Sequence, residues 1–280
     1  MIKISADSTC DLSKEIIEAN DITIVPLGVV VDGECFHDGV DITPPQLFDY
    51  VEKEKKQCST TAVNVFEYKT YFEDALKTYE AVIHICISAE FSTTYANAVA
   101  AAEELENVYI VDSRNLSTGS GHLVLDAVEM AKKGIPAQEI VDTLNETAKR
   151  VEASFVIDRL DYLRRGGRCS AMAAFGGALL NIKPSIEVVD GKMTVGKKYT
   201  GTFEKCLRRY VKERLNGRED IDTSRIFITH TLCDDGIPEM VRKTVEEYMH
   251  FDEVIETIAG CTVSNHCGPN TLGILFKKKQ

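Results

Sequence analysis

Seven consecutive residues, Ala81-Val82-Ile83-His84-Ile85-Cys86-Ile87, carry six apolar side chains and no turn former. A strand whose two faces both meet apolar layers is written this way, whereas a half-solvated strand alternates polar and apolar. The surrounding chain fits such a setting. Met1 to Ala6, Thr23 to Val31 and Val108 to Val111 read as further strands, with helical periodicity between them. Thr43-Pro44-Pro45-Gln46 is a capping box with prolines where the first helical amides need no partner, which predicts a helix to about Lys55. Asn64-Val65-Phe66-Glu67 starts a second helix, in which Val65, Tyr68, Phe72, Ala75, Leu76 and Tyr79 mark one buried face. An Ala-rich helix runs to about Leu105, and Gly134 with Pro136 separates two later ones. This order predicts an open α/β domain to about residue 152, with ligands at the carboxyl ends of its strands.

Beyond that point the pattern changes. Asp190-Gly191 sits between Pro184–Val189 and Lys192–Val195, a strong hairpin signal. Strands follow at Arg225 to Thr231, Glu253 to Ile258 and Thr271 to Phe276, with helices over Thr202 to Leu215 and Ile237 to His250. No linker rich in Pro, Gly or Ser divides the halves, and no internal repeat is present. The formal charge of −12 disfavours nucleic acid as a partner. No window approaches the roughly 20 apolar residues of a transmembrane helix, and the strand-like start is unlike a signal peptide. A cytoplasmic protein is expected. Its nine cysteines lack any CxxC pair, so neither a disulfide framework nor a metal site is expected.

Four polar clusters fall where ligands are expected: Asp7-Ser8-Thr9, Ser59-Thr60-Thr61, Ser88 through Thr94, and Asp112-Ser113. Hydroxyls there can hold an oxyanion, although the same residues are also ordinary caps and turn formers. His266 lies in a turn-rich stretch before the last strand, where imidazole can donate to a carboxylate or act as a base. Its neighbour Cys267 is expected on the opposite face of an extended segment, which argues against a nucleophile–base pair. Arg164-Arg165-Gly166-Gly167-Arg168 reads either as an anion or partner surface or as a helix C-terminus with a glycine cap. Neither GxxxxGK[ST], a strand-following GxGxxG, GxSxG nor HExxH occurs.

Taken in order, Ala6-Asp7-Ser8-Thr9-Cys10-Asp11-Leu12, Val25-Pro26-Leu27, Ser59-Thr60-Thr61, Ser92-Thr93-Thr94-Tyr95, Asp112-Ser113, Leu160-Asp161-Tyr162-Leu163 through Gly166-Gly167-Arg168, Leu180-Asn181-Ile182-Lys183-Pro184 and His266-Cys267-Gly268-Pro269 resemble the motifs of the DegV family. The match spans essentially the whole chain. The resemblance implies an α/β protein of two domains: an N-terminal three-layer α/β/α domain over residues 1–152 with a mostly parallel sheet, and a smaller C-terminal α/β domain over 153–280 with a mixed, largely antiparallel sheet. It implies a bacterial fatty-acid-binding protein that buries the acyl chain between these domains. Some members are lipid-carrying subunits of fatty acid kinase, so it further implies a carrier for phospholipid synthesis, not an enzyme, presenting a long-chain fatty acid to a separate ATP-dependent kinase subunit. No cofactor beyond that lipid ligand is implied.

Carried over by motif, Thr60, Thr61 and Ser92 hold the carboxylate with His266 close by, supported by Asp7, Ser8, Thr94 and Asp112. Partner docking falls to Arg164, Arg165, Arg168, Arg208 and Arg209, joined by Lys197 and Lys198. Tunnel shape falls to side chains that include Phe91, Ala173, Phe175, Leu179 and Ile182. The chain departs from the family pattern at Ala62-Val63, Thr93 and Asn270, where the motifs carry Gln-Pro, Gly and Gly. The competing reading is an enzyme of the related dihydroxyacetone-kinase-like fold that uses His266 on a small carbonyl substrate. A binding module for another small acid is a third.

Overall fold

A computed structural model describes residues 1–169 and 182–280; Ala173, Phe175, Leu179, Leu180 and Asn181 lie outside them. The first half comprises β1 (Ile2–Asp7), α1 (Lys14–Ala19), β2 (Thr23–Val25), β3 (Gly28–Val31), β4 (Glu34–His37), α2 (Pro44–Glu52), β5 (Cys58–Thr61), α3 (Val65–Ala75), β6 (Ala81–Cys86), α4 (Thr94–Ala102), β7 (Val108–Asp112), α5 (Thr118–Lys132) and α6 (Ala137–Ala148). The second comprises β8 (Val151–Ile157), α7 (Leu160–Gly166), β9 (Ile182–Val189), β10 (Lys192–Thr200), α8 (Phe203–Leu215), β11 (Ile221–His230), α9 (Ile237–Tyr248), β12 (Glu253–Ile258), α10 (Cys261–Cys267) and β13 (Thr271–Lys278).

The parallel sheet runs β2-β1-β6-β7, and its central strand explains the apolar heptapeptide. Val82 and Cys86 of β6 pack against Tyr68 and Phe72 of α3 and Ala98 and Ala101 of α4. Ile83 and Ile85 point the other way, to Leu123 and Ala127 of α5 and Leu144 of α6. Three layers result. A six-stranded mixed sheet, β10-β9-β8-β13-β11-β12, is antiparallel except for its β11–β12 pair. Helix α5 lies between the two sheets, because the cluster that holds Ile83 and Leu123 also holds Ala153, Phe227 and Leu275. That position accounts for a helix buried without a break from Thr118 to Leu125.

The hairpin forms as read, with Asp190 at φ 50° and Gly191 at φ 79°, the positive pair that a two-residue turn requires. Two readings need correction. The strand expected over Thr23 to Val31 is two strands that break at Pro26-Leu27. Pro26 has no amide to give, and the Leu27 amide goes to Ser8 Oγ at 3.1 Å, so β3 leaves the parallel sheet for a three-stranded antiparallel sheet, β4-β3-β5. The polar cluster Ser59-Thr60-Thr61 does not follow a strand but is one: it forms most of β5 and pairs with Gly28, Val29 and Val30 of β3.

Candidate functional site

A pocket with about 550 Å3 of empty space, its open mouth included, lies beyond the carboxyl end of β6 and against α10. Its apolar wall takes Leu27, Ile87, Phe91 and Leu116 from the first half of the chain and Met193, Val263 and Cys267 from the second. Leu116, Val263 and Cys267 also line a smaller cavity of about 310 Å3, which continues between Phe155, Gly273 and Leu275. Thr60, Thr61, Ser92, Arg168, Thr262 and His266 supply the polar lining.

Residues 206 positions apart meet in that lining: Thr60 Oγ1 lies 2.9 Å from His266 Nε2. Burial, aided by the positive charge of Arg168, holds the His266 pKa down at about 4, so the ring is neutral near pH 7. Among the described residues its Nδ1 is buried without a hydrogen-bond partner, against Gly166, where a methyl group would stand only 2.4 Å away. A bare lone pair costs less there than a buried N–H, which places the proton on Nε2. The imidazole therefore donates to Thr60 Oγ1, and the threonine proton is free to turn towards a ligand.

His266 is reached by a helix, not by the extended turn expected. Gly260 precedes α10 and offers no capping side chain of its own, so nothing local announces this element. Being successive residues of a helix, His266 and Cys267 lie about 100° apart around its axis, and both reach the pocket. Burial pushes the Cys267 thiol up to about 12, which leaves it a packing group and not a thiolate.

Asp7, Ser8, Thr94 and Asp112, expected to support the carboxylate, stand behind the lining. Asp7 accepts from the Ile87 amide at 2.9 Å, from Tyr68 Oη at 2.5 Å and from His84 Nε2 at 3.1 Å, and so fixes the loop that opens after β6. Asp112 accepts from the Ala89 and Arg114 amides at 3.3 and 2.8 Å. Thr94 Oγ1 accepts from the Val63 amide at 3.3 Å, tying the segment after β5 to α4. Ser8 Oγ bonds Asp38 at 3.2 Å as well as accepting from Leu27. Ser92 Oγ accepts from the Thr94 amide at 3.2 Å, and among the described residues its hydroxyl proton has no acceptor.

The DegV family model, described as an uncharacterised protein of that family, matches residues 1–279. The chain belongs to the DegV family. A DegV domain-containing protein of Caldanaerobacter subterraneus is 34% identical over 280 residues, covering 99% of both chains. Among solved structures, a DegV family protein from Thermus thermophilus described for its fatty acid binding aligns with TM-score 0.89 and 27% identity over 99% of each chain. A stearic acid-binding protein from Eubacterium ventriosum aligns with TM-score 0.83 and 26% identity over 100% of this chain and 99% of its own.

In this DegV protein the arginines meet different neighbours. Helix α7 ends at Gly166 with Gly167 as a left-handed cap at φ 66°, so the helix-terminus reading of Arg164-Arg165-Gly166-Gly167-Arg168 holds for the backbone. Arg165 lies over the Tyr162 ring at 4.4 Å, while Arg168, exposed, borders the pocket. Arg208 bonds Thr244 of α9 at 3.3 Å, and Arg209 stacks over Tyr199 at 5.7 Å. Lys197 pairs with Glu213 at 3.3 Å. Neither the place of Arg168 at the pocket nor that of Leu116 and Met193 was read from the sequence. Arg168 follows two glycines and carried the same letters as a surface arginine would. Among the described residues, no helix is long and apolar enough to cross a membrane.

Proposed function

We propose that this protein is a fatty-acid carrier that buries an acyl chain in the pocket between its two halves and presents the carboxylate to a separate ATP-dependent kinase. The observation that carries the reading is an apolar cavity with its hydroxyls, imidazole and one guanidinium gathered together in the lining. Burying about 14 methylenes at about 0.8 kcal/mol each gives on the order of 11 kcal/mol before association costs, so the tail supplies affinity and the polar groups supply orientation. Thr60, steered by His266, donates to one carboxylate oxygen and Ser92 to the other, with Thr61 beside them. Arg168 balances the charge from the solvent side, where it also meets the incoming phosphate. Arg164, Arg165, Arg208 and Arg209 are the proposed docking surface for an acidic partner.

The fatty acids named for the solved relatives support this ligand class. A thiol pushed up to about 12 by burial argues against a nucleophilic role for Cys267 beside His266. Mass spectrometry of an organic extract of the purified protein, followed by titration of the delipidated protein with a fluorescent fatty acid, tests the proposal. One long-chain acid per polypeptide is expected, with no acyl phosphate formed from ATP by this chain alone. Absence of saturable binding, or acyl phosphate without a partner, overturns it.

A further inference from the structure

We propose that Asp38, seconded by Asp11, is the positioning residue for His266, holding the imidazole in register with Thr60 from the opposite end of α10. This rests on the reading of the pocket as a carboxylate-binding site. Helix α10 has seven residues, fewer than two turns, and is too short to hold its own geometry. Two acidic side chains from the first half of the chain hold its start. Asp38 Oδ1 accepts from the Cys261 amide at 2.7 Å and Asp38 Oδ2 from the Thr262 amide at 2.9 Å. Asp11 Oδ1 accepts from the Gly260 amide at 2.8 Å. Three consecutive amides are thus satisfied by side chains more than 200 residues away, and both carboxylates are buried.

The clamp is itself fixed. Ser8 Oγ donates to Asp38 Oδ2 at 3.2 Å, Ser117 Oγ and Asp11 Oδ2 share a hydrogen bond at 2.5 Å, and the Asp38 amide donates to the Leu27 carbonyl at 2.9 Å. Gly260 completes the fit, since a methyl group there would stand 3.1 and 3.2 Å from the two Asp38 oxygens. The far end of the same short helix carries His266, whose ring reaches Thr60 at 2.9 Å. Because the helix moves as one body, a shift at its start is delivered to the imidazole.

Asp38→Asn keeps the shape but replaces one accepting oxygen with a donor that faces an amide. In the delipidated protein, imidazole 15N shifts report the His266 tautomer, and paired titrations with a long-chain acid and the alcohol of equal length report carboxylate recognition. We expect Asp38→Asn to mix the tautomers and to reduce the preference for acid over alcohol by about tenfold or more, as loss of a hydrogen bond to a charged group does, while the alcohol binds as before. Ser8→Ala, which removes one donor to Asp38 and also releases the Leu27 amide at the pocket wall, moves the imidazole shifts in the same direction by less. A lowered melting temperature with tautomer and acid preference unchanged makes Asp38 merely structural and overturns the proposal. Should the parent protein bind neither ligand, the fatty-acid reading fails, and the imidazole shifts alone decide the clamp: moved by Asp38→Asn they support it, unmoved they refute it.

Discussion

His266 is held neutral by its surroundings, and that has a cost at acid pH. Its pKa falls from an ordinary 6.5 to about 4 in the folded chain, through burial first and the charge of Arg168 second. Between those values the unfolded chain binds a proton that the folded chain refuses, so stability is lost as pH falls from about 6.5 towards 4. Asp11 pulls the other way over part of the range. Burial lifts its carboxyl from 3.8 to about 8, so the folded chain keeps a proton that the unfolded chain gives up, and stability declines as pH rises between these values. In thermal denaturation of delipidated protein from pH 4.5 to 8, Asp11→Asn should gain most at pH 8 and least near pH 4.5, because the amide copies the protonated acid. An equal shift at both ends would show that Asp11 is ionised in the folded state.

At the level of elements, α7 and α10 meet where Gly166 faces the imidazole. Gly166 ends a helix and needs no unusual backbone angle, so alanine should suit α7 by about 1 kcal/mol on propensity alone. Yet its methyl group would lie 2.4 Å from His266 Nδ1, so the ring must shift and its contact with Thr60 cannot keep its geometry. Gly166→Ala is therefore expected to leave the circular dichroism of the protein unchanged and to weaken binding of a fatty acid about tenfold, without weakening binding of the matching alcohol. Equal affinity for the acid in variant and parent would mean that the ring tolerates the methyl group or that His266 does not orient the ligand. The same contact explains why two glycines stand in the arginine-rich motif: Gly167 supplies the left-handed cap and Gly166 the room for the ring.

For the molecule as a whole, the core does not respect the division into halves. Ile4 and Ile83 of the parallel sheet share one buried cluster with Phe227 and Leu275 of the mixed sheet, through α5. The buried pair of Thr118 Oγ1 and Thr229 Oγ1 at 2.7 Å and the bond from His122 Nε2 to the Leu275 carbonyl at 3.0 Å tie α5 to the mixed sheet. Scanning calorimetry should record a single transition, moved upward as one peak by a saturating fatty acid, by about 2.7 kcal/mol at 100 times Kd. Two separated transitions, with only one sensitive to ligand, would mean that the halves unfold independently.

How much of this was legible depended on how far apart the deciding residues lie. The two-face burial of β6, the alternation of strands and helices, the Thr43 and Asn64 capping boxes and the Asp190-Gly191 hairpin are all set by near neighbours, so periodicity and turn chemistry reveal them. The polar residues at Thr60, Ser92 and His266 were visible as residues, and their order along the chain carried the family resemblance. Their meeting was not legible from spacing or periodicity. The start of helix α10 is capped by Asp11 and Asp38 from the other end of the chain, the Leu27 amide between β2 and β3 goes to Ser8, and Arg168 reaches the pocket just past the end of α7. Each of these rests on a hydrogen bond or a close contact between distant segments, and such partners are chosen by packing, which no local pattern of letters encodes.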